Sequence, residues 1–465
     1  MVFSSFVFLI FFLPLLWGLY HVIPDRAKNA ALLFASLIFY AWGEPVYILL
    51  LILSVTLNFF LGLRIAGKEG AERKISLIIG ILLNLGMLGY FKYYNFFGSI
   101  LNRLLGNEIL PYKHIALPIG ISFYTFQILS YLIDLYRGKI SVQKSWMKLA
   151  LYIAFFPQLI AGPIVRYNDI ASQLENHPST PEKTSRGIRR FCEGLSKKVL
   201  ISNSLGNVVD RIYDLPITDM STSLAWIAAA FYMLQIYYDF SGYSDMAIGL
   251  AGVFGFRFEE NFNFPYTSAS VREFWRRWHI SLSAWFREYL YIPLGGNRRG
   301  KARTILNLFI VFLATGLWHG ASLHFVFWGV FHGAFSILER MIPRSVSERI
   351  PRFLRILYTL LEVMIGWIFF RVPGLRLSLT YIRMLFVFRP ETAWSAREFL
   401  SPQVILIAVL AVLLSGWLQR FLFPRVKLSA KARETLSSLG AITWLLLSML
   451  RLVTNTYNPF IYFRF

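Results

Sequence analysis

The sequence has one cysteine in 465 residues, Cys192. A single thiol excludes an intramolecular disulfide, a thiolate zinc cluster and a cysteine-held iron–sulfur centre. Cys192 falls in an amphipathic stretch, where surface packing is its simplest role. Charge is also scarce: Asp, Glu, Lys and Arg make up 15% of the chain, where ~25% is usual in soluble domains. Acids are scarcest, with 25 Asp and Glu against 47 Lys and Arg, a net charge of +22. There is no internal repeat, no low-complexity linker and no stretch polar enough for a separate soluble domain; the longest polar segment is 166–190. What fills the chain is apolar: 56% before glycine is counted, against ~45–50% with glycine included in soluble proteins. Mean hydropathy is +0.53. These values exclude an ordinary soluble enzyme, a disordered chain and a collagen-like repeat. They define an all-α, polytopic integral membrane protein. In such a protein the excess cations belong to cytoplasmic loops and to anionic lipid, not to nucleic acid.

A crossing of the hydrocarbon needs ~20 mostly apolar residues. Candidate spans are 3–22, 30–43, 46–63, 75–95, 115–135, 148–165, 223–254, 304–338, 352–372, 401–423 and 437–453, roughly eleven, and the chain reads as one membrane-embedded domain over 1–465. Segments 30–43 and 148–165 are short for a crossing. Segments 223–254 and 304–338 are too long for one straight helix and contain glycines, so breaks or re-entrant turns are expected there. Residues 1–22 lack a basic n-region and a small-residue cleavage site, which fits a retained first helix. Arg26 and Lys28 follow the first span, Arg64, Lys68, Arg73 and Lys74 the third, and Arg137, Lys139, Lys144 and Lys148 the fifth. The positive-inside rule then sets the N-terminus outside and the odd loops in the cytoplasm. Thr180-Pro181-Glu182 carries the signals of a helix start, and Arg186, Arg189, Arg190, Lys197 and Lys198 interleave with Ile188, Phe191, Leu195 and Val199. This predicts a basic amphipathic helix at the membrane surface.

Three clusters carry chemistry-bearing residues. In 268–300, Ser270-x-x-Glu273 predicts a capping box and a helix from Val271. At helical spacing His279 joins Trp275, Leu282, Ser283 and Phe286 on the apolar side, with Arg272, Arg276, Arg277 and Arg287 on much of the rest. The following Leu294-Gly295-Gly296-Asn297-Arg298-Arg299-Gly300 is a turn whose backbone N–H groups beside two guanidiniums suit phosphate; simple positive-inside anchoring is the plainer alternative. In 304–338, His319, His324 and His332 lie inside an apolar run. An ionisable group at depth usually faces the bundle interior and marks function. Neutral there, an imidazole can act as a base. For His324 and His332 a hydrogen-bonded structural role is the simpler reading; for His319 the two readings stand level. The spacings of five and eight, and the absence of His-Glu-x-x-His, argue against a metal. The third cluster runs from Gln235 to Asp245, with Asp239, Ser241, Tyr243 and Ser244 around Gly242, where an unwound turn is expected. Phe156 to Arg166, with Gln158, two prolines and a glycine, is similarly irregular.

The segments FFPQLIAGPIVRY (155–167), YYDFSGYSDMAIG (237–249), NFNFPY (261–266), EFWRRWHISLSAWFREYLYIPLGGNRRG (273–300), TGLWHGASLHFVFWGVFHG (315–333) and NPFIYFRF (458–465) resemble the membrane-bound O-acyltransferase family. Within it they are similar to the bacterial branch typified by the membrane subunit of alginate O-acetyltransferase. The resemblance implies a ring of helices around a tunnel through a thinned membrane region, with the motif-rich core at 115–340. It implies His319 of the WHG motif as the catalytic histidine and His279 as the second active-site residue. It also implies a cytoplasmic thioester donor, acetyl-CoA or an acyl carrier protein, and no bound cofactor. The acetyl group would pass to an outer, SGNH-hydrolase-like subunit that modifies a polysaccharide such as alginate, at the bacterial inner membrane. Arg276, Arg277, Arg287, Arg298 and Arg299 are then expected at the donor, and Trp278, Trp318, Asp239, Ser241, Tyr243, Asp245, Gln158 and Arg166 along the tunnel. Two other readings stay open: D-alanyl or lipid transfer within the same family, and a transporter of polysaccharide or lipid-linked precursor using the buried His and Asp residues as a proton relay. The paired, repeated broken helices expected of a transporter are not found in the sequence.

Overall fold

The computed structural model describes residues 1–391, 393–421, 429–454 and 457–461. Among these residues the regular structure is helical, with no strand. Six helices are long and apolar enough to cross a membrane: Tyr47–Gly67, Gly70–Leu105, Gly300–His319, Arg352–Arg371, Pro402–Arg420 and Ala430–Thr454. Val7–Val22 is a shorter apolar helix. The count of eleven is therefore not reached on length and composition. Asp25–Ala41 has 17 residues, Ile121–Tyr136 has 16 and Trp146–Ala154 only nine, so none reaches the ~30 Å that ~20 helical residues provide. Of the candidate span 401–423, residues 422 and 423 lie outside the described residues, as do 462–465 of the C-terminal motif.

The chain forms two compact units, Met1–Phe191 with Met246–Glu259, and Cys192–Asp245 with Glu260–Phe465. In the first, small and amide residues set the helix spacing. Asn58 and Asn84 exchange reciprocal amide hydrogen bonds at 3.1 and 2.7 Å, and a Cβ on Gly62 would press on the Tyr131 ring. The expected irregularity at 148–165 is present: the helix stops at Ala154, a short turn follows at Phe156–Leu159, and the rest is coil. Every residue from 149 to 165 is buried, which fits the requirement that non-helical backbone at depth be enclosed by protein. Cys192 is buried, not a surface residue.

The second unit packs around an aromatic core that includes Trp278, Trp328, Trp367, Tyr266 and Phe274. Two expectations are corrected here. First, Thr222–Val253 is one continuous helix of 32 residues, with no unwound turn at Gly242. A Cβ on Gly242 would crowd the Gly194 carbonyl and the Lys198 backbone nitrogen, so this glycine admits a neighbouring backbone and does not break the helix. Second, the basic helix is less uniform than its sequence suggests. It starts at Pro181 with Thr180 accepting from the Lys183 N–H at 3.3 Å. However, Lys198 is only 3% exposed and ion-paired with Asp239.

Candidate active site

Gly300–His319 and Leu323–Met341 are consecutive helices joined by residues 320–322. Their backbones approach where glycines remove side chains: a Cβ on Gly316 would overlap the Phe325 carbonyl, and one on Gly329 the Phe312 carbonyl. Gly316 thus serves helix packing. His319 closes the first helix, 5% exposed. Its ring sits edge-on to Trp318 and Trp328, each with centroids at 4.9 Å, and to Phe370 at 5.2 Å.

His279 is held differently. Ser270 caps Val271–Trp275 by accepting from the Glu273 N–H at 3.0 Å. The reciprocal half of the capping box is displaced by one residue, since Glu273 accepts from the Ala269 N–H at 2.9 Å. Glu339 pins the same turn by accepting the Val271 and Arg272 N–H groups at 2.7 and 3.1 Å. The expected continuous helix then breaks. His279 takes left-handed angles (φ 45°, ψ 56°) before Ile280–Phe286 begins. Such angles cost a β-carbon residue of order 1–3 kcal/mol, and they cluster at functional sites. Asn261 holds the break: its carbonyl accepts the Ile280 N–H at 2.9 Å, and its side-chain oxygen accepts the Ser281 N–H at 3.1 Å and the Ser281 hydroxyl at 2.9 Å. His279 Nδ1 lies 3.2 Å from the same oxygen, and Asn261 Nδ2 donates to Ser244 Oγ at 3.0 Å. Phe240 and Trp318 pack on the His279 ring at 4.6 and 6.0 Å. His279 is on none of the candidate spans, and burial holds its imidazolium well below the usual histidine range.

Both histidines line one cavity of about 290 Å³. Leu282, Phe286, Leu308, Val311 and Phe312 give it an apolar wall, with Trp275, Trp278, Ser283, Thr315 and Tyr291. Four guanidiniums border it: Arg272, Arg276, Arg287 and Arg340. Arg272 and Arg276 also line a second cavity of about 500 Å³, beside Glu273, Glu339, Glu348 and Arg355. Two imidazoles beside cations, in a largely apolar chamber, can exchange a proton with a hydroxyl while anionic groups are held at the rim.

Other predicted residues sit elsewhere. Arg277 pairs with Glu273 at 2.8 Å. Arg298 and Arg299 are exposed. In the glycine turn the N–H groups of Gly295, Gly296 and Arg298 donate to the carbonyls of Ile292, Tyr291 and Gly295, and Asn307 pins the Gly296 carbonyl at 2.9 Å. Trp318 lies against both histidine rings without lining the cavity. Asp239, Ser241, Tyr243 and Asp245 do not line it either. Asp239 pairs with Lys198 and Asp245 with Lys197, the Tyr243 ring packs tilted against Phe460 with centroids at 4.6 Å, and Ser241 is buried. In the first unit, buried Gln158 donates to the Tyr152 carbonyl and Arg166 pairs with Asp169 at 2.8 Å. His332 Nδ1 meets Glu362 at 2.8 Å, and His324 meets Ser322 at 2.8 Å, which gives both the structural contacts expected of them. Sequence reasoning passed over Arg340, Glu339 and Asn261. The first two follow an apolar run and look like its end; Asn261 stood in view within NFNFPY.

Fold and cavity together define a multi-pass helical membrane protein with a two-histidine, arginine-bordered chamber. The profile of the membrane-bound O-acyltransferase family matches residues 116–382. The chain is 40% identical to the probable alginate O-acetylase of Azotobacter vinelandii, over the full length of both. It is 35% identical to the peptidoglycan O-acetyltransferase of Helicobacter pylori, over 82% of this chain and 79% of that one. It is 28% identical to the teichoic acid D-alanyltransferase of Bacillus subtilis, over 46% and 56%. The chain belongs to the membrane-bound O-acyltransferase family and is an O-acyltransferase.

Proposed function

We propose that this protein takes an acetyl group from a cytoplasmic thioester, acetyl-CoA or an acyl carrier protein, and passes it through the protein for O-acetylation of an extracytoplasmic polysaccharide such as alginate. It would sit in the bacterial inner membrane with its N-terminus outside and work with an SGNH-hydrolase-like outer subunit. The observation that carries this reading is the shared cavity of His279 and His319 with its border of arginines. A charged donor cannot enter hydrocarbon, so only the acyl carbonyl and an acceptor hydroxyl need meet inside. The arginines hold the donor's phosphates, or an acidic carrier, at the rim.

Neutral His319 takes the proton from the acceptor hydroxyl as that oxygen attacks the thioester carbonyl. The C–S bond then breaks and the thiolate leaves, to be protonated by the imidazolium. His279 orients the acceptor or stabilises the oxyanion. General-base help of this kind supplies ~10²–10⁴-fold. The full-length likeness to a probable alginate O-acetylase supports the acetyl group and the glycan acceptor. The test is CoA release by purified protein given acetyl-CoA and a hydroxyl acceptor. Wild type releases CoA and folded His319→Ala does not; full activity in that variant ends the assignment.

A further inference from the structure

We infer that Asn261 is a positioning residue that fixes His279 as the Nδ1–H tautomer, leaving the lone pair on Nε2. Asn261 is 1% exposed and His279 1% exposed, so water does not arbitrate between them. Which end of the amide faces the imidazole is settled by Ser281. Its backbone N–H can only donate, and it donates to Asn261 Oδ1 at 3.1 Å. The atom 3.2 Å from His279 Nδ1 is therefore an acceptor, and Nδ1 must carry the proton. The other end of the amide agrees, since Nδ2 faces the Ser244 hydroxyl oxygen at 3.0 Å. The left-handed backbone at His279 and the hydrogen bond from the Ile280 N–H to the Asn261 carbonyl hold the ring in this register.

This inference rests on the acyl-transfer reading for its consequence. A neutral ring with its lone pair on Nε2 accepts a hydrogen bond and has no second proton to give. Of the two roles open to His279, orienting the acceptor through one of its O–H groups survives. Donating to a developing oxyanion does not.

The chain has seven histidines, so ¹⁵N-histidine labelling of the full-length protein in lipid gives a resolvable spectrum, with His279→Gln assigning the signal. The expected result is a proton-bearing Nδ1 and a proton-free Nε2 on His279. Asn261→Leu should mix the tautomers and lower kcat by about 10²-fold with little change in KM, the scale of a misplaced acceptor. Asn261→Asp, which keeps the acceptor oxygens, should hold the tautomer and recover most of kcat. A wild-type His279 protonated at Nε2 overturns the inference, and so does an unchanged tautomer in folded Asn261→Leu. If Asn261→Leu does not fold, the wild-type and Asn261→Asp spectra decide alone. The spectrum does not depend on turnover: a protein that fails to release CoA would end the functional reading and leave the tautomer assignment standing.

Discussion

The Lys198–Asp239 pair and the His279–His319 site both set ionisable groups inside the second unit, and they are built in opposite ways. The first is closed upon itself. Lys198 is 3% exposed and Asp239 1% exposed. Lys198 also donates to the Pro459 carbonyl, and Asp239 accepts the Ile461 N–H at 2.8 Å. Around them Asn203 donates to Asn458 at 3.1 Å and Tyr457 to Asp210 at 2.7 Å. These four contacts dock the C-terminal segment. The histidine site sets its imidazoles against aromatic rings and turns them toward an open chamber. Burial alone therefore does not identify a reactive group; what matters is whether the buried group faces a cavity.

The largest expected effect separates the two directly. His319→Ala should lower CoA release by at least ~10²–10⁴-fold while thermal stability in detergent stays near wild type. A large stability loss with activity per folded molecule preserved would place His319 with the structural pair. Lys198→Met should do the reverse. Removing one member of a buried pair strands the other charge and costs ~3–5 kcal/mol, seen as a lower melting temperature, whereas the folded fraction keeps its turnover. The double change Lys198→Met with Asp239→Leu should recover much of that loss, because no charge is then left unpaired.

The His332–Glu362 contact, 2.8 Å long and fully buried, sharpens the comparison from between the two. Glu362→Leu should cost ~1–3 kcal/mol through the orphaned imidazole, with kcat changed less than in His319→Ala. The smallest effect is expected at the surface. Arg298→Glu with Arg299→Glu should raise the KM for the donor several-fold, more at low salt than at high, and leave stability within ~0.5 kcal/mol. A donor KM that does not move would remove these two exposed residues from the donor site.

Much of the site was legible because of chemistry that an apolar sequence makes conspicuous. His319 stands out as a polar residue in an apolar run, His279 as the one histidine of an aromatic and arginine-rich segment, and the capping serine at Ser270 announces its helix. The register between segments was not legible. Helical spacing placed His279 on the apolar side of an unbroken helix, but the chain breaks there and Asn261, from a separate segment, secures the break. Gly242 suggests an unwound turn in the sequence, but in the fold it admits a neighbouring backbone. Asp239 and Asp245 stand in the sequence as carboxylates within an apolar stretch; the fold sets Lys198 and Lys197 on them.

By itself the sequence determined the class of environment and the inventory of reactive groups. Hydropathy summed over ~20 residues decides where a helix can sit in lipid, and a lone imidazole in such a run is costly wherever it ends up. Only the tertiary structure decided which polar groups neutralise one another and which face the chamber. That choice turns on contacts of about 3 Å between residues far apart in the chain, a distance to which local periodicity carries no information.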